Sequence, residues 1–96
     1  MYGIIRTILV EKHSADIETE TDRFTIFNLG PGKSFQVFLR KADDGVSGYF
    51  SFGHRSAEKP LLTLHLRNRD SVLTEEDLIR IFDSFGTIMA YEAYVS

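Results

Sequence analysis

The chain has 96 residues, of which 43% are hydrophobic and 26% charged, which predicts one globular domain over residues 1–96 and argues against disorder. Its net charge of −3 gives little attraction to nucleic acid or anionic membranes. The absence of cysteine excludes a disulfide framework, a thiolate zinc site and a thiol nucleophile, and favours a cytoplasmic location. We expect no membrane contact, because no basic leader opens the chain and no apolar run approaches about 20 residues.

The first two thirds of the chain predict a series of β-strands. Residues 2–12 are rich in Ile, Leu, Val and Thr, whereas the following residues, to about 22, are polar and acidic. Glycine-rich and aspartate-rich turn sequences occupy residues 30–32 and 43–45. Leucine alternates with polar residues over 61–67. We therefore expect strands at residues 2–12, 17–29, 34–41, 48–54 and 61–67.

A capped amphipathic pattern near the C-terminus predicts the single helix, at about 74–85. Thr74 is a suitable N-cap, and the three acidic residues after it complement the positive end of a helix dipole. Leu78, Ile81, Phe82 and Phe85 recur at i, i+3, i+4 and i+7 and form an apolar stripe, and Gly86 is a typical helix stop. Residues 87–95 then predict a last strand. The expected fold class is α+β: a mostly antiparallel sheet of about five to six strands with one helix packed on one face, followed by a final strand.

Pairing the strands so that apolar side chains meet assigns the two faces of the sheet. A hairpin of the fourth and fifth strands sets Phe52 beside Leu62 and Phe50 beside Leu64. The same logic pairs Val37 with Phe50 and Phe35 with Phe52. The predicted core face comprises Phe35, Val37, Leu39, Phe50, Phe52, Leu62, Leu64 and Leu66. The predicted opposite face comprises Gln36, Phe38, Arg40, Tyr49, Ser51, Thr63, His65 and Arg67. Since one helix is too narrow to cover six strands, either the sheet curls or an aromatic surface stays available.

Motifs for chemistry are weak, and we predict no catalytic residue, metal site or cofactor and no enzymatic activity. Gly30-Pro31-Gly32-Lys33-Ser34 imitates the end of a phosphate-binding loop, but Phe27 occupies the place of its first glycine and a strand follows. The histidines lack the short spacing of zinc ligands, which predicts surface or turn positions for them. Ser51, His65 and Asp83 are not accompanied by a nucleophile elbow or an oxyanion loop.

About a third of the chain resembles part of an RNA-recognition motif. Leu62–Asn68, Leu73–Gly86 and Thr87–Met89 are similar to its first strand, first helix and second strand. The family's aromatic third strand does not follow, and the partial echo at Ser47–Phe52 lies upstream, which would require a permuted order. The resemblance implies an RNA-binding sheet face, and its extent is too small to assign the family.

Two surfaces are candidates for binding. Glu18, Glu20 and Asp22 alternate along the second predicted strand and would form an acidic row that suits a protein partner with a basic surface. The aromatic sheet face carries the other candidates: Phe38, Arg40, Tyr49, His65 and Arg67. We predict a non-enzymatic protein-binding domain of the small inhibitor or accessory kind that viruses and mobile elements encode. The alternatives are a single-stranded nucleic-acid binder using the aromatic face and a homodimer formed through that face.

Overall fold

A computed structural model describes residues 2–41, 48–66 and 75–95 of the chain. Five strands form one antiparallel sheet in the order β1-β2-β3-β4-β5, each paired with its neighbour in sequence. The fold class is therefore α+β, as predicted, with five strands in the sheet. The elements in chain order are α1 (Tyr2–Lys12), β1 (Asp16–Glu20), β2 (Phe24–Leu29), a short 3₁₀ turn (Pro31–Lys33), β3 (Phe35–Lys41), β4 (Gly48–His54), β5 (Leu62–Leu66) and α2 (Glu75–Val95).

The N-terminal segment is helix α1, so the strand predicted for residues 2–12 was wrong. Its buried side chains are Ile5, Ile8 and Leu9, which recur at i, i+3 and i+4 and form one face of a helix. The abundance of β-branched residues favoured a strand, but helix propensities are weak and packing against the sheet decides the conformation. The helix ends at Lys12. Ser14 beyond it has a left-handed φ of 52°, and the Ala15 amide donates a hydrogen bond to the Leu9 carbonyl over 3.0 Å.

Helix α2 continues to Val95, so the helix stop at Gly86 and the final strand at 87–95 were also wrong. Its buried side chains are Leu78, Phe82, Phe85 and Met89, a stripe that passes through the position of Gly86 without a break. Because residues 87–89 are helical, the second strand required by the resemblance to an RNA-recognition motif is absent here. The predicted cap at Thr74 lies outside the described residues.

The predicted strand at 17–29 is a hairpin of two strands, β1 and β2. Thr21, Asp22 and Arg23 make the turn, in which the Thr21 amide donates to the Phe24 carbonyl over 2.8 Å. The Thr21 side-chain oxygen in turn accepts hydrogen bonds from the amides of Arg23 and Phe24. These side-chain bonds replace the strand ladder locally, as serine and threonine commonly do in turns.

Strand register confirms the predicted faces for the described side chains and corrects the register between β3 and β4; Arg67, predicted for the opposite face, lies outside the described residues. Phe52 pairs with Leu62 and Phe50 with Leu64, as predicted. Val37, however, pairs with Phe52 instead of Phe50, and Phe35 with His54 instead of Phe52. A shift of two residues leaves the described side chains of β3 and β4 on their predicted faces, because strand side chains alternate with a period of two. The turn predicted at 43–45 lies outside the described residues.

The core lies between the two helices and one face of the sheet. Phe52 stacks on Phe85 of α2 with ring centroids 4.0 Å apart, and Phe50 lies 5.1 Å from Phe82. The glycine turn after β2 also contacts α2: Gly30 has a φ of 81°, and a Cβ atom there would lie 2.6 Å from the Met89 sulfur. The buried sheet side chains of this core are Phe27, Leu29, Phe35, Val37, Leu39, Phe50 and Phe52. Leu62 and Leu64 pack at its margin and are half-buried.

Candidate binding face of the sheet

The second face of the sheet carries no described helix, and we call it the open face. Along β3 the core side chains Phe35, Val37 and Leu39 alternate with side chains that point the other way. The register of the other strands extends this alternation across the sheet. The open face consists of Phe24, Ile26, Asn28, Gln36, Phe38, Arg40, Tyr49, Ser51, Thr63 and His65.

Four rings form a continuous row across β2, β3, β4 and β5, which we call the aromatic row. The ring centroids of Phe24 and Phe38 are 5.4 Å apart, those of Phe38 and Tyr49 6.0 Å, and those of Tyr49 and His65 5.8 Å. All three distances fall in the range in which aromatic pairs attract each other. The first pair is stacked and the other two are tilted. The three Phe and Tyr rings are half-buried and His65 is exposed, so the row is accessible from outside.

Arg40 places a positive charge beside the aromatic row. It is exposed and lies opposite Phe24 on β2 and opposite Tyr49 on β4. Directly opposed side chains have Cβ atoms about 5 Å apart, so the guanidinium is within reach of either ring. A planar cation next to aromatic rings can bind carboxylates, phosphates or further rings.

The structure brings together four of the five residues predicted for this surface. Phe38, Arg40, Tyr49 and His65 share the open face, whereas Arg67 lies outside the described residues. Sequence reasoning missed Phe24, which extends the row, together with its neighbour Ile26. The signal was the alternation along β2, where Thr25, Phe27 and Leu29 are buried. This alternation could not assign Phe24 to a face, because residues 17–29 were predicted as a single strand with no predicted partner strand.

The acidic residues do not form the one-sided row that their spacing predicted. A β-bulge lies between Ile17 and Thr19, and the extra residue there changes the direction of the side chains that follow. Glu18 accepts hydrogen bonds from Asn28 Nδ2 (3.2 Å) and from Arg55 Nη2 (3.4 Å). Glu20 instead accepts from Arg6 Nε of α1 over 3.1 Å. Asp22 lies beyond β1, in the turn to β2.

Each carboxylate of β1 therefore has a cation of the same chain nearby. Besides the two contacts above, Asp16 Oδ2 lies 3.9 Å from Lys33 Nζ. All of these side chains are substantially exposed, so the ion pairs contribute little to stability. They do offset the negative charge of β1, which reduces the field that this segment presents to a partner.

A shallow groove adjoins the aromatic row at Phe38. Its volume is about 140 Å³, and its walls come from β3, from β4 and from the connection between β4 and β5. The connection lies close against the sheet: the Leu61 amide donates to the Phe52 carbonyl over 2.8 Å, and a Cβ atom on Gly53 would lie 3.1 Å from Pro60 Cα. The groove gives the open face a concave border lined by polar groups, including Gln36, Ser51, His54 and Lys59.

The three histidines occupy separate places. His13 follows α1, and its Nε2 is buried without a hydrogen-bond partner. Burial lowers the pKa of His13, and Asp83 opposes this shift by attracting the protonated form. His54 is exposed at the end of β4, with Nδ1 2.8 Å from Ser56 Oγ, and His65 belongs to the aromatic row. Among the described residues, no group of three or more His, Asp or Glu side chains is placed to hold a metal ion.

Comparison with protein-family models, with curated proteins and with solved structures finds no match to this chain. Within the described ranges, neither helix is long and apolar enough to cross a membrane.

Proposed function

We propose that this chain is a non-enzymatic protein-binding domain that uses the open face of its sheet. The observation that supports the proposal is the aromatic row, a set of four rings that contact one another over four strands and stay accessible. Aromatic side chains are enriched in the centres of protein interfaces, where they supply most of the binding energy.

The packing of the row favours binding. Each ring is held by its neighbours and by a strand backbone, so little side-chain entropy is lost when a partner covers it. Ile26 lies opposite Phe38 on the next strand and adds apolar surface beside the rings. Arg40 at the border is the kind of residue that adds orientation to such a contact.

The acidic segment adds a finer proposal, that the partner has a basic surface. Glu18, Glu20 and Asp22 lie near the β1 edge, and charges at the rim of an interface steer association more than they add affinity. The internal ion pairs of Glu18 and Glu20 reduce this effect, so the main contribution is assigned to the aromatic row. Small inhibitor or accessory proteins act in this way, and the cysteine-free composition keeps the cytoplasm as the expected location.

A second candidate function is the binding of single-stranded nucleic acid. It is favoured by the placement of Arg40 opposite both Phe24 and Tyr49, since bases stack on such rings while a nearby cation attracts phosphate. The net charge of −3 opposes it, because nucleic-acid affinity depends strongly on neutralising phosphates.

Affinity capture from a lysate of the native cells tests the proposal. The wild type is compared with the double variant Phe38→Ser/Tyr49→Ser, which removes the two central rings of the row. The matched control is Tyr91→Ser, which removes an aromatic residue that is 64% exposed on α2, outside the row. Circular dichroism verifies that all three proteins are folded, and each capture is run with and without nuclease.

The proposed function predicts that a specific protein is captured by the wild type and by Tyr91→Ser, is lost with the double variant, and resists nuclease. Capture that disappears on nuclease treatment would favour the second candidate. Titration of labelled single strands at physiological salt then measures that activity directly. Sub-micromolar affinity that is lost on Tyr49→Ala would favour nucleic-acid binding over protein binding. Equal capture of the protein by the wild type and the double variant would show that the open face is not the binding surface.

A further inference from the structure

The two edges of the sheet differ in how they are protected. In β1, three of the five residues are acidic and a bulge interrupts the register, two features by which natural sheets prevent edge pairing. Strand β5 has neither feature: its register with β4 is regular over all five residues, and none of its residues is Asp, Glu, Lys or Arg. Within residues 2–41, 48–66 and 75–95, no strand pairs with the outer side of β5.

The sequence of β5 is symmetric about its centre. Leu62-Thr63-Leu64-His65-Leu66 has the same alternation of apolar and polar residues when read in either direction. An antiparallel copy centred on Leu64 therefore sets Leu64 against Leu64 of the second copy on the core side, and Thr63 against His65 of the second copy on the open side. Residues 62 and 66, both Leu, are also opposite each other in this register. This pairing uses all five residues, and the outward backbone groups of one strand meet those of the other.

We propose that two copies of this chain associate through antiparallel β5–β5 pairing about Leu64, which joins their sheets into one of ten strands. The contact is isologous, as a two-fold dimer requires. It supplies backbone partners for the side of β5 on which no described strand pairs, and it covers exposed surface of Leu62 and Leu64, which are half-buried in the monomer. Because only five residues per copy pair, we expect a reversible dimer whose population depends on concentration.

The dimer would also enlarge the open face. His65 and His65 of the second copy become diagonal neighbours, about 7–8 Å apart, which is within reach of aromatic side chains. The two aromatic rows then meet at the dyad and form one strip of eight rings. The dimer is inferred from β5 alone and does not depend on the proposed function, whereas the longer strip would double the surface available to that function.

A cysteine cross-link tests the register, because the chain has no cysteine of its own. Leu64→Cys places two thiols directly opposite each other, with Cβ atoms about 5 Å apart, and mild oxidation should join them. Leu62→Cys is the matched control on the same strand and the same face. Its two thiols would lie four residues, or about 13 Å, apart, which is beyond the reach of a disulfide. Non-reducing electrophoresis at several protein concentrations gives the readout.

Charge pairs on the open side test the same pairing without cross-linking. Thr63 and His65 are exposed, so substitution should leave each copy folded. Thr63→Glu/His65→Glu sets like charges opposite each other twice and should abolish the dimer in analytical ultracentrifugation. Thr63→Lys/His65→Glu sets opposite charges together and should retain or strengthen it, most clearly at low salt. Thr19→Glu on β1 is the control and should leave the dimer unchanged.

The expected results are a concentration-dependent dimer, a cross-link with Leu64→Cys but not with Leu62→Cys, and opposite effects of the two charge variants. A wild type that stays monomeric over about three decades of concentration would overturn the proposal. A dimer whose population changes equally in both charge variants would also overturn the proposal. A contact through another surface would not depend on whether the charges at residues 63 and 65 are alike or opposite. Equal capture by the wild type and by Phe38→Ser/Tyr49→Ser would contradict the proposed function and would not bear on the dimer, which is inferred from β5 alone.

Discussion

Gly48 begins β4 at a position where a residue with a side chain does not fit. A Cβ atom there would lie 2.1 Å from the Arg40 carbonyl oxygen and 3.2 Å from Lys41 Cα, and both are backbone atoms that cannot rotate away. We expect Gly48→Ala to destabilise the protein by about 1–3 kcal/mol, as overpacked positions do. Urea unfolding measures the loss. Gly3→Ala is the control: within the described part of the chain, no atom of a residue beyond its own helix backbone and its chain neighbours lies within 4 Å of its Cβ position, and alanine favours a helix, so its stability should be equal or higher.

His13 makes stability depend on pH. Burial lowers its pKa below the ordinary value of about 6.5, while Asp83 raises it and Lys12 lowers it further. The folded state therefore prefers the neutral imidazole. The stabilisation is complete above the ordinary pKa and is lost as the pH falls through the lower pKa of the folded state.

Thermal melts between about pH 7 and pH 5 should show this loss in the wild type. The loss should be smaller in His13→Gln, which cannot be protonated. His54→Gln is the control, because His54 is exposed at the end of β4. An identical pH profile in the wild type and in His13→Gln would contradict the prediction.

The stripe of α2 is the contact that holds this helix on the sheet. Phe82 is fully buried, and its ring lies 5.1 Å from Phe50 and 5.0 Å from Phe85. Phe82→Ala should cost about 3–5 kcal/mol, because a large buried ring is removed and a cavity is left. Tyr91→Ala on the same helix is 64% exposed and should stay within about 0.5 kcal/mol of the wild type. A loss below about 1 kcal/mol for Phe82→Ala in urea melts would show that the stripe is not buried.

A substitution at Gly86 distinguishes a helix that stops at this residue from one that continues to Val95. If Gly86 ended the helix in a left-handed conformation, its replacement by alanine would destabilise the protein. Inside α2, which runs from Glu75 to Val95, the glycine itself weakens the helix. A Cβ atom at this position would lie 3.9 Å from His13 Cε1, an ordinary van der Waals distance, and the other described residues outside α2 are farther away. We therefore expect Gly86→Ala to stabilise the protein by up to about 1 kcal/mol. A higher midpoint in urea would agree with the continuous helix, and a lower one would contradict it.

At the scale of the whole molecule, the charges of the β1 edge affect association more than folding. The ion pairs of Glu18 and Glu20 are exposed, and Asp22 lies in an exposed turn. The variant Glu18→Gln/Glu20→Gln/Asp22→Asn should lose less than about 1 kcal/mol of stability. It should bind a basic partner more slowly, most visibly at low salt, because rim charges act on the on-rate.

Surface plasmon resonance with the captured partner measures these rates for the wild type and the triple variant. Glu76→Gln on α2 is the control, since its carboxylate is exposed and lies 4.0 Å from Arg80 of the same helix. Equal on-rates of wild type and triple variant at low ionic strength would contradict a role of the acidic segment in association. The aromatic row would then be the sole contributor among the surfaces proposed above.

The sequence by itself determined the central part of the fold and most of the candidate site. Alternation along β3, β4 and β5 is strict, and a slip by one residue would expose Phe50 and Phe52, so only one assignment of faces is stable. The positions of Phe38, Arg40, Tyr49 and His65 on one surface follow from that assignment. The shift of two residues between β3 and β4 did not affect it.

Only the tertiary structure decided the two ends of the chain and the β1–β2 hairpin. Residues 2–12 and 87–95 are apolar segments whose local preferences are weak, and contacts of Ile5, Leu9 and Met89 in the core make both helical. The bulge after Ile17 depends on pairing with β2 and separates Glu18 from Glu20, which no spacing along the chain reveals. Phe24 joined the aromatic row for the same reason, because its ring meets Phe38 only once the strands are paired.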